Sequence, residues 1–165
     1  MFKFIAGYIC HYVQTTIHKL KVLRNIVDII DQVHPKNKWK LYGRGWTHDL
    51  SKYRWSESKY FAKVIFKLKN LTYDSDEYRK TLDSIRPAIG LHYRRNFHHP
   101  ECYHLEDGYQ YMSELDRLEM IADWMAAVTR HKDGDIFKSI EINQKRFGYS
   151  DEEKEWLLSI VNAVN

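Results

Sequence analysis

Apolar residues recur at three- and four-residue spacing along almost the whole chain, and no stretch alternates apolar with polar as a half-buried strand would. That pattern confines the chain to helical folds. Only 7 Gly and 3 Pro punctuate 165 residues, a length suited to one domain. The expectation is a single all-α domain over residues 1–165, a compact bundle of six or seven helices. The first helix should run from about Phe4 to Val33 and end at Pro35. Leu20, Leu23, Val27 and Ile30 form its stripe, and Val22, Ile26 and Ile29 carry the apolar surface round the cylinder, as in a central helix. A loop with Gly43 and Gly45 should lead into a short helix carrying Thr47 to Tyr53. Ser56 is placed to cap a helix through about Leu68. Asp74 or Ser75 should cap a fourth helix to about Arg94, kinked or broken at Pro87. Asn96 to Gly108 reads as an ordered loop. Ser113 with Asp116 has the form of a capping box, Asp135 opens a helix that stops near Gly148, and Ser150 with Glu153 opens the last.

Composition narrows the function. A chain that is 44% hydrophobic and 15% aromatic can bury a core, which excludes disorder. The formal charge of +4 is spread among acids, so a small anionic molecule is a better partner than nucleic acid. Cys10 and Cys102 are too few for a disulfide framework or a four-thiolate zinc site. The longest uncharged stretch opens at Phe4 and is interrupted by His11, Gln14, Thr15 and Thr16, so no spanning segment and no membrane partner are expected. The N-terminal apolar run lacks a small-residue cleavage site, and the cytoplasm is the expected location. The oligomeric state is not set by the sequence. The unusual count is nine histidines.

Four places could carry chemistry. In His48-Asp49-Leu50-Ser51-Lys52, helical spacing would let all three functional side chains converge on one pocket. There His48 and Asp49 could offer nitrogen and oxygen to an ion, and Lys52 a cation to a bound anion; an exposed surface ion pair would leave the same pattern. His92 precedes His98 and His99, with Asn96 placed to orient one imidazole and Glu101 to do the same or handle protons. Asp123 sits in the apolar run Leu118 to Met125, where a carboxylate is costly to bury unless paired or metal-bound. A solvated strip of Asp116, Glu119 and Asp123 is the alternative. His18, on the first helix, fits either an inward ligand or a half-buried histidine.

Taken in order, His18, His48-Asp49, His92, His98/His99 and Asp123 resemble the HD superfamily of helical metal-dependent phosphohydrolases, whose ligands run H…HD…H…H…D. Lys52, three residues after Asp49, matches the H-D-x-x-K form of binuclear members, which include the HD-GYP phosphodiesterases and the related myo-inositol oxygenase. H-D-L-S-K, N-x-H-H-P-E and E-M-I-A-D-W look most like an uncharacterised HD-like family of small bacterial and viral proteins, over roughly residues 17–127. The resemblance implies that His18, His48, Asp49 and Asp123 hold one ion, and that Asp49 bridges to a second held by His92 and by His98 or His99. The gap from His92 to His98 is short for the HD-GYP type and no G-Y-P follows, which leaves one or two ions open. By type the donors suit iron, manganese, zinc, cobalt or nickel. The implied activity is hydrolysis of a small phosphate ester, a nucleotide being the first expectation. Asp49, Lys52 and Glu101 would be catalytic, and Lys52, Arg94, Arg95 and Asn96 would meet the substrate. A diiron oxygenase of the myo-inositol oxygenase type, or a non-catalytic metal-binding interaction module, are the alternatives. The module rests on the aromatic and basic stretch Trp39, Tyr42, Trp46, Tyr53, Arg54 and Trp55.

Overall fold

The computed structural model describes residues 2–72, 75–103, 108–130 and 134–164. Among them there is no strand, and the α-helices number eight rather than six or seven: α1 (Phe2–Val33), α2 (Lys38–Thr47), α3 (Trp55–Lys69), α4 (Asp76–Asp83), α5 (Arg86–Arg95), α6 (Glu114–Val128), α7 (Ile136–Phe147) and α8 (Asp151–Val164). Two local outcomes account for the difference. The expected fourth helix is broken at Ser84–Ile85, because Pro87 has no N–H to continue it and sits instead in the first turn of α5. The Gly43–Gly45 segment is helical, since neither glycine has positive φ, whereas the expected helix over Thr47 to Tyr53 is only a 3-10 turn, Leu50–Tyr53.

The capping signals mostly hold. Ser113 and Asp116 form a complete capping box, Asp135 accepts from the first turn of α7, and Ser150 accepts from the N–H of Glu153. Gly148 closes α7 at φ +68°, the left-handed conformation that glycine adopts without a Cβ penalty. Ser75 caps α4; Asp74 lies outside the described residues. Ser56 is not a cap, for α3 begins at Trp55 behind Arg54. The Asn96 to Gly108 loop, so far as it is described, holds a 3-10 turn at Pro100–Tyr103.

Backbone contacts divide the chain into two units. One comprises Met1–Ile17 and Asp49–Asn96. In it α3 packs on α4, α5 and the Leu50–Tyr53 turn. Gly7 of α1 meets Ala62 of α3 so closely that a Cβ would collide with the Ala62 carbonyl. Around that approach Tyr8 stacks on Trp55, Tyr12 on Tyr53, and His11 on Phe61.

The other unit comprises His18–His48 and Phe97–Asn165. Val22, Ile26 and Ile29 of α1, Leu41 of α2, Leu118, Met120 and Ile121 of α6, Ile140 of α7 and Leu157 and Val161 of α8 are fully buried together. Each such side chain contributes roughly 1.5–3 kcal/mol of transfer free energy. The stripe drawn through Leu20 is therefore displaced: the inner face of α1 is Val22–Ile26–Ile29, in register with His18, and Leu20 is exposed.

Candidate metal centre

One face of helix α6 carries three carboxylates, Asp116, Glu119 and Asp123, at three- and four-residue spacing. They are not a solvated strip. Asp116 and Glu119 are buried and Asp123 nearly so. Uncompensated, three such charges would be prohibitive, so the surrounding segments supply a partner to each. Arg44 of α2 reaches Asp116 Oδ1 with one guanidinium nitrogen and Glu119 Oε2 with another, both at 2.6 Å. Asp116 also accepts from Ser113 and from the Tyr103 hydroxyl. Burial alone would raise the Asp116 carboxyl, but its hydrogen bonds from Ser113 and Arg44 hold it below the usual carboxylate range.

Glu119 organises two imidazoles. Its Oε1 lies 2.8 Å from His48 Nδ1 and 3.2 Å from His98 Nδ1. With Nδ1–H donating to Glu119, each ring is held as the tautomer whose Nε2 carries the lone pair, the arrangement that carboxylates impose on metal-ligating histidines. Nε2 of His48 lies 3.7 Å from Asp123 Oδ1, and the same oxygen is 2.7 Å from His18 Nε2. One donor atom from each of His48, His98 and Asp123 falls within 4.8 Å of the other two, close enough to share one ion. The rings of His48 and His98 are 4.4 Å apart by centroid, and those of His98 and His99 4.2 Å. Burial works against the charged forms of Glu119 and Asp123, yet the His48 and His98 rings bonded to Glu119, and the His18 ring bonded to Asp123, hold both carboxyls well below their usual range. A donor set of imidazole nitrogens and carboxylate oxygen, with its outer carboxylate already in place, fits a divalent transition metal.

The first unit has a cluster of its own. Asp49 follows the end of α2 in the left-handed conformation, φ +58°, which aspartate tolerates better than most side chains. The chain leaves α2 there, so His48 and Lys52 are not on one helix. The Asp49–Lys52 relation survives in the 3-10 turn, where Lys52 Nζ donates to Asp49 Oδ2 at 2.6 Å. His92 Nε2 lies 3.3 Å from Asp49 Oδ1, and His92 Nδ1 lies 3.2 Å from Glu57 Oε2. Glu57, fully buried, also accepts from Ser51 Oγ (2.9 Å) and Arg95 (2.8 Å). Burial raises its carboxyl, but the bonds from His92, Arg95 and Ser51 lower it further. Asn96 donates to Ser51 Oγ at 3.0 Å and to the His92 carbonyl at 2.6 Å.

Of the residues singled out by sequence, the structure brings His18, His48, His98 and Asp123 together in one unit, with His99 beside His98, and Asp49, Lys52 and His92 together in the other. Arg95 is committed to Glu57, Arg94 is exposed, and Glu101 pairs with Arg146 of α7 at 2.5 Å. Sequence reasoning passed over Glu119 as a site residue, and Glu57 and Arg44 altogether. The signal for Glu119 was its place one turn before Asp123 on the same helix face.

Residues 8–163 match the model of a family described as "Family of unknown function (DUF5662)". The chain belongs to that family. The match spans both units, so the histidine and carboxylate clusters lie wholly within the family's extent. No curated protein and no solved structure matches the chain.

Proposed function

We propose that this member of the family is a metal-dependent phosphohydrolase acting on a small phosphate ester, with nucleotides as the first substrate class. The observation that carries the reading is the meeting of His48, His98 and Asp123, three members of the HD ligand order, under the orienting carboxylate of Glu119. On that resemblance His18, His48, Asp49 and Asp123 would hold one ion, and His92 with His98 or His99 would hold a second. Iron, manganese, zinc, cobalt and nickel all suit these donors. A bound divalent cation of this kind supplies Lewis acidity, activating water and offsetting phosphate charge.

The chain's own groups do the rest. Lys52, now held on Asp49, is the cation available to a non-bridging phosphate oxygen. Arg94 has the exposure to meet substrate charge, while Arg95 holds Glu57, and through it the His92 ring. Asn96 steadies the same ring through Ser51 and the His92 carbonyl. Glu101 would move protons only after release from Arg146.

The test is a panel of phosphomonoesters and phosphodiesters, nucleotides included, assayed on metal-loaded protein. Turnover that disappears in Asp49→Ala together with bound metal supports the reading. Metal retained without turnover across the panel contradicts it.

A further inference from the structure

The first half of helix α1 buries one side and leaves an apolar stripe exposed on the other. Gly7, His11 and Thr15 are buried, whereas Ile5, Ile9, Val13 and Ile17 step along the helix four residues at a time and are 51%, 60%, 50% and 45% exposed. At α-helical geometry the exposed stripe is centred about 180° from the buried one. Four β-branched side chains in a row on the outside of a helix are a contiguous apolar patch rather than scattered exposure.

The charge of the segment tells what covers the patch. Residues 1–27 contain no Asp or Glu, yet include Lys3, Lys19, Lys21 and Arg24. Over residues 1–48 eight Lys and Arg stand against two carboxylates, Asp28 and Asp31; over the remainder 18 stand against 20. The net positive charge of the chain therefore resides entirely in its first third. In the second unit the same conjunction recurs on α2, where Trp39 and Trp46 are exposed on one face, flanked by exposed Lys36, Lys38 and Lys40. Exposed apolar side chains beside acid-free basic sequence are what an anionic lipid interface selects, acyl chains taking the first and headgroups the second.

We propose that α1 docks on the surface of an anionic phospholipid bilayer, with Ile5, Ile9, Val13 and Ile17 among the acyl chains. Among the described residues no helix is long and apolar enough to cross a membrane, so the contact is adsorption and not spanning. A second copy of the chain fits less well. Pairing two α1 helices brings lysine and arginine to both sides with no carboxylate over residues 1–27 to answer them. Nucleic acid fits the α1 face less well still, because Ile5, Ile9, Val13 and Ile17 offer bases no π face to stack on.

The test is co-sedimentation of the full chain with vesicles of phosphatidylcholine alone and of phosphatidylcholine with phosphatidylglycerol at roughly 3:1. The expected result is sedimentation with the anionic vesicles only, suppressed in about 0.5 M salt. The double variant Ile9→Ser, Val13→Ser should partition about tenfold less well with an unchanged melting temperature. The proposal is overturned if the wild-type chain ignores anionic vesicles or binds both kinds equally, neither of which depends on a variant folding. It is overturned too if the double variant binds as well as wild type, or if the chain is a dimer in solution that the double variant dissociates.

Discussion

His48 Nδ1 lies 2.8 Å from Glu119 Oε1, across 71 positions of sequence, and the same carboxylate oxygen lies 3.2 Å from His98 Nδ1. One side chain thus fixes the tautomer and the aim of two candidate ligands, while Arg44 balances its charge from the far side. On the proposed function Glu119 is a positioning residue for the candidate metal centre, although it need not touch an ion.

Glu119→Gln keeps the size and one acceptor but removes the charge that favours donation from both Nδ1 atoms. Metal affinity should fall about 10- to 100-fold, the usual effect of losing an outer carboxylate. Competition titration with a chromogenic chelator measures it, and circular dichroism checks that the helices persist. An affinity equal to wild type would show that Glu119 does not orient the ligands.

Asp116 sets an acid limit on the fold. Its folded carboxyl is depressed below the ordinary 3.8, so its contribution to stability is complete above that value and fades as pH falls through the folded one. Asp116→Asn should therefore cost of order 1–3 kcal/mol near neutral pH. That penalty should be constant from neutrality down to about pH 5 and shrink below about pH 4. Urea unfolding of both proteins across that range measures the difference, and a penalty that grows toward acid would refute the assignment.

How far the sequence disclosed this molecule depends on the distance over which each signal acts. Ser113–Asp116, Asp135 and Gly148 act within a turn and were legible. The histidines and Asp123 were legible as a set because their order, not their spacing, carries the resemblance. Glu119 was not. A carboxylate one turn from another looks like a solvated strip until Arg44, His48 and His98 arrive from elsewhere in the chain to pay for its burial. Glu57 was hidden for the same reason, its partners lying 6, 35 and 38 positions away. Leu20 reads as part of the inner stripe of α1 yet is exposed, because periodicity records that a side chain is apolar but not whether anything covers it.

The glycines of α2 separate propensity from packing. Gly43 is exposed and a Cβ there would meet nothing within 4 Å, so Gly43→Ala should stabilise the protein by about 0.5–1 kcal/mol. At Gly45 a Cβ would sit 2.8 Å from Leu23 Cδ1 and 3.1 Å from Ile26 Cδ1, against the buried face of α1. Gly45→Ala should lose that gain or destabilise. Thermal melts of the two variants decide, and equal gains at both positions would contradict the packing described.

Elemental analysis of freshly purified protein decides whether side chains from separate stretches of the chain hold a metal ion. Wild type should carry about one or two transition-metal ions per chain, and Asp123→Asn, with an unchanged helical spectrum, should carry close to none. Wild type that takes up no metal even when incubated with iron, manganese and zinc, or a variant that retains as much as wild type, would contradict the account.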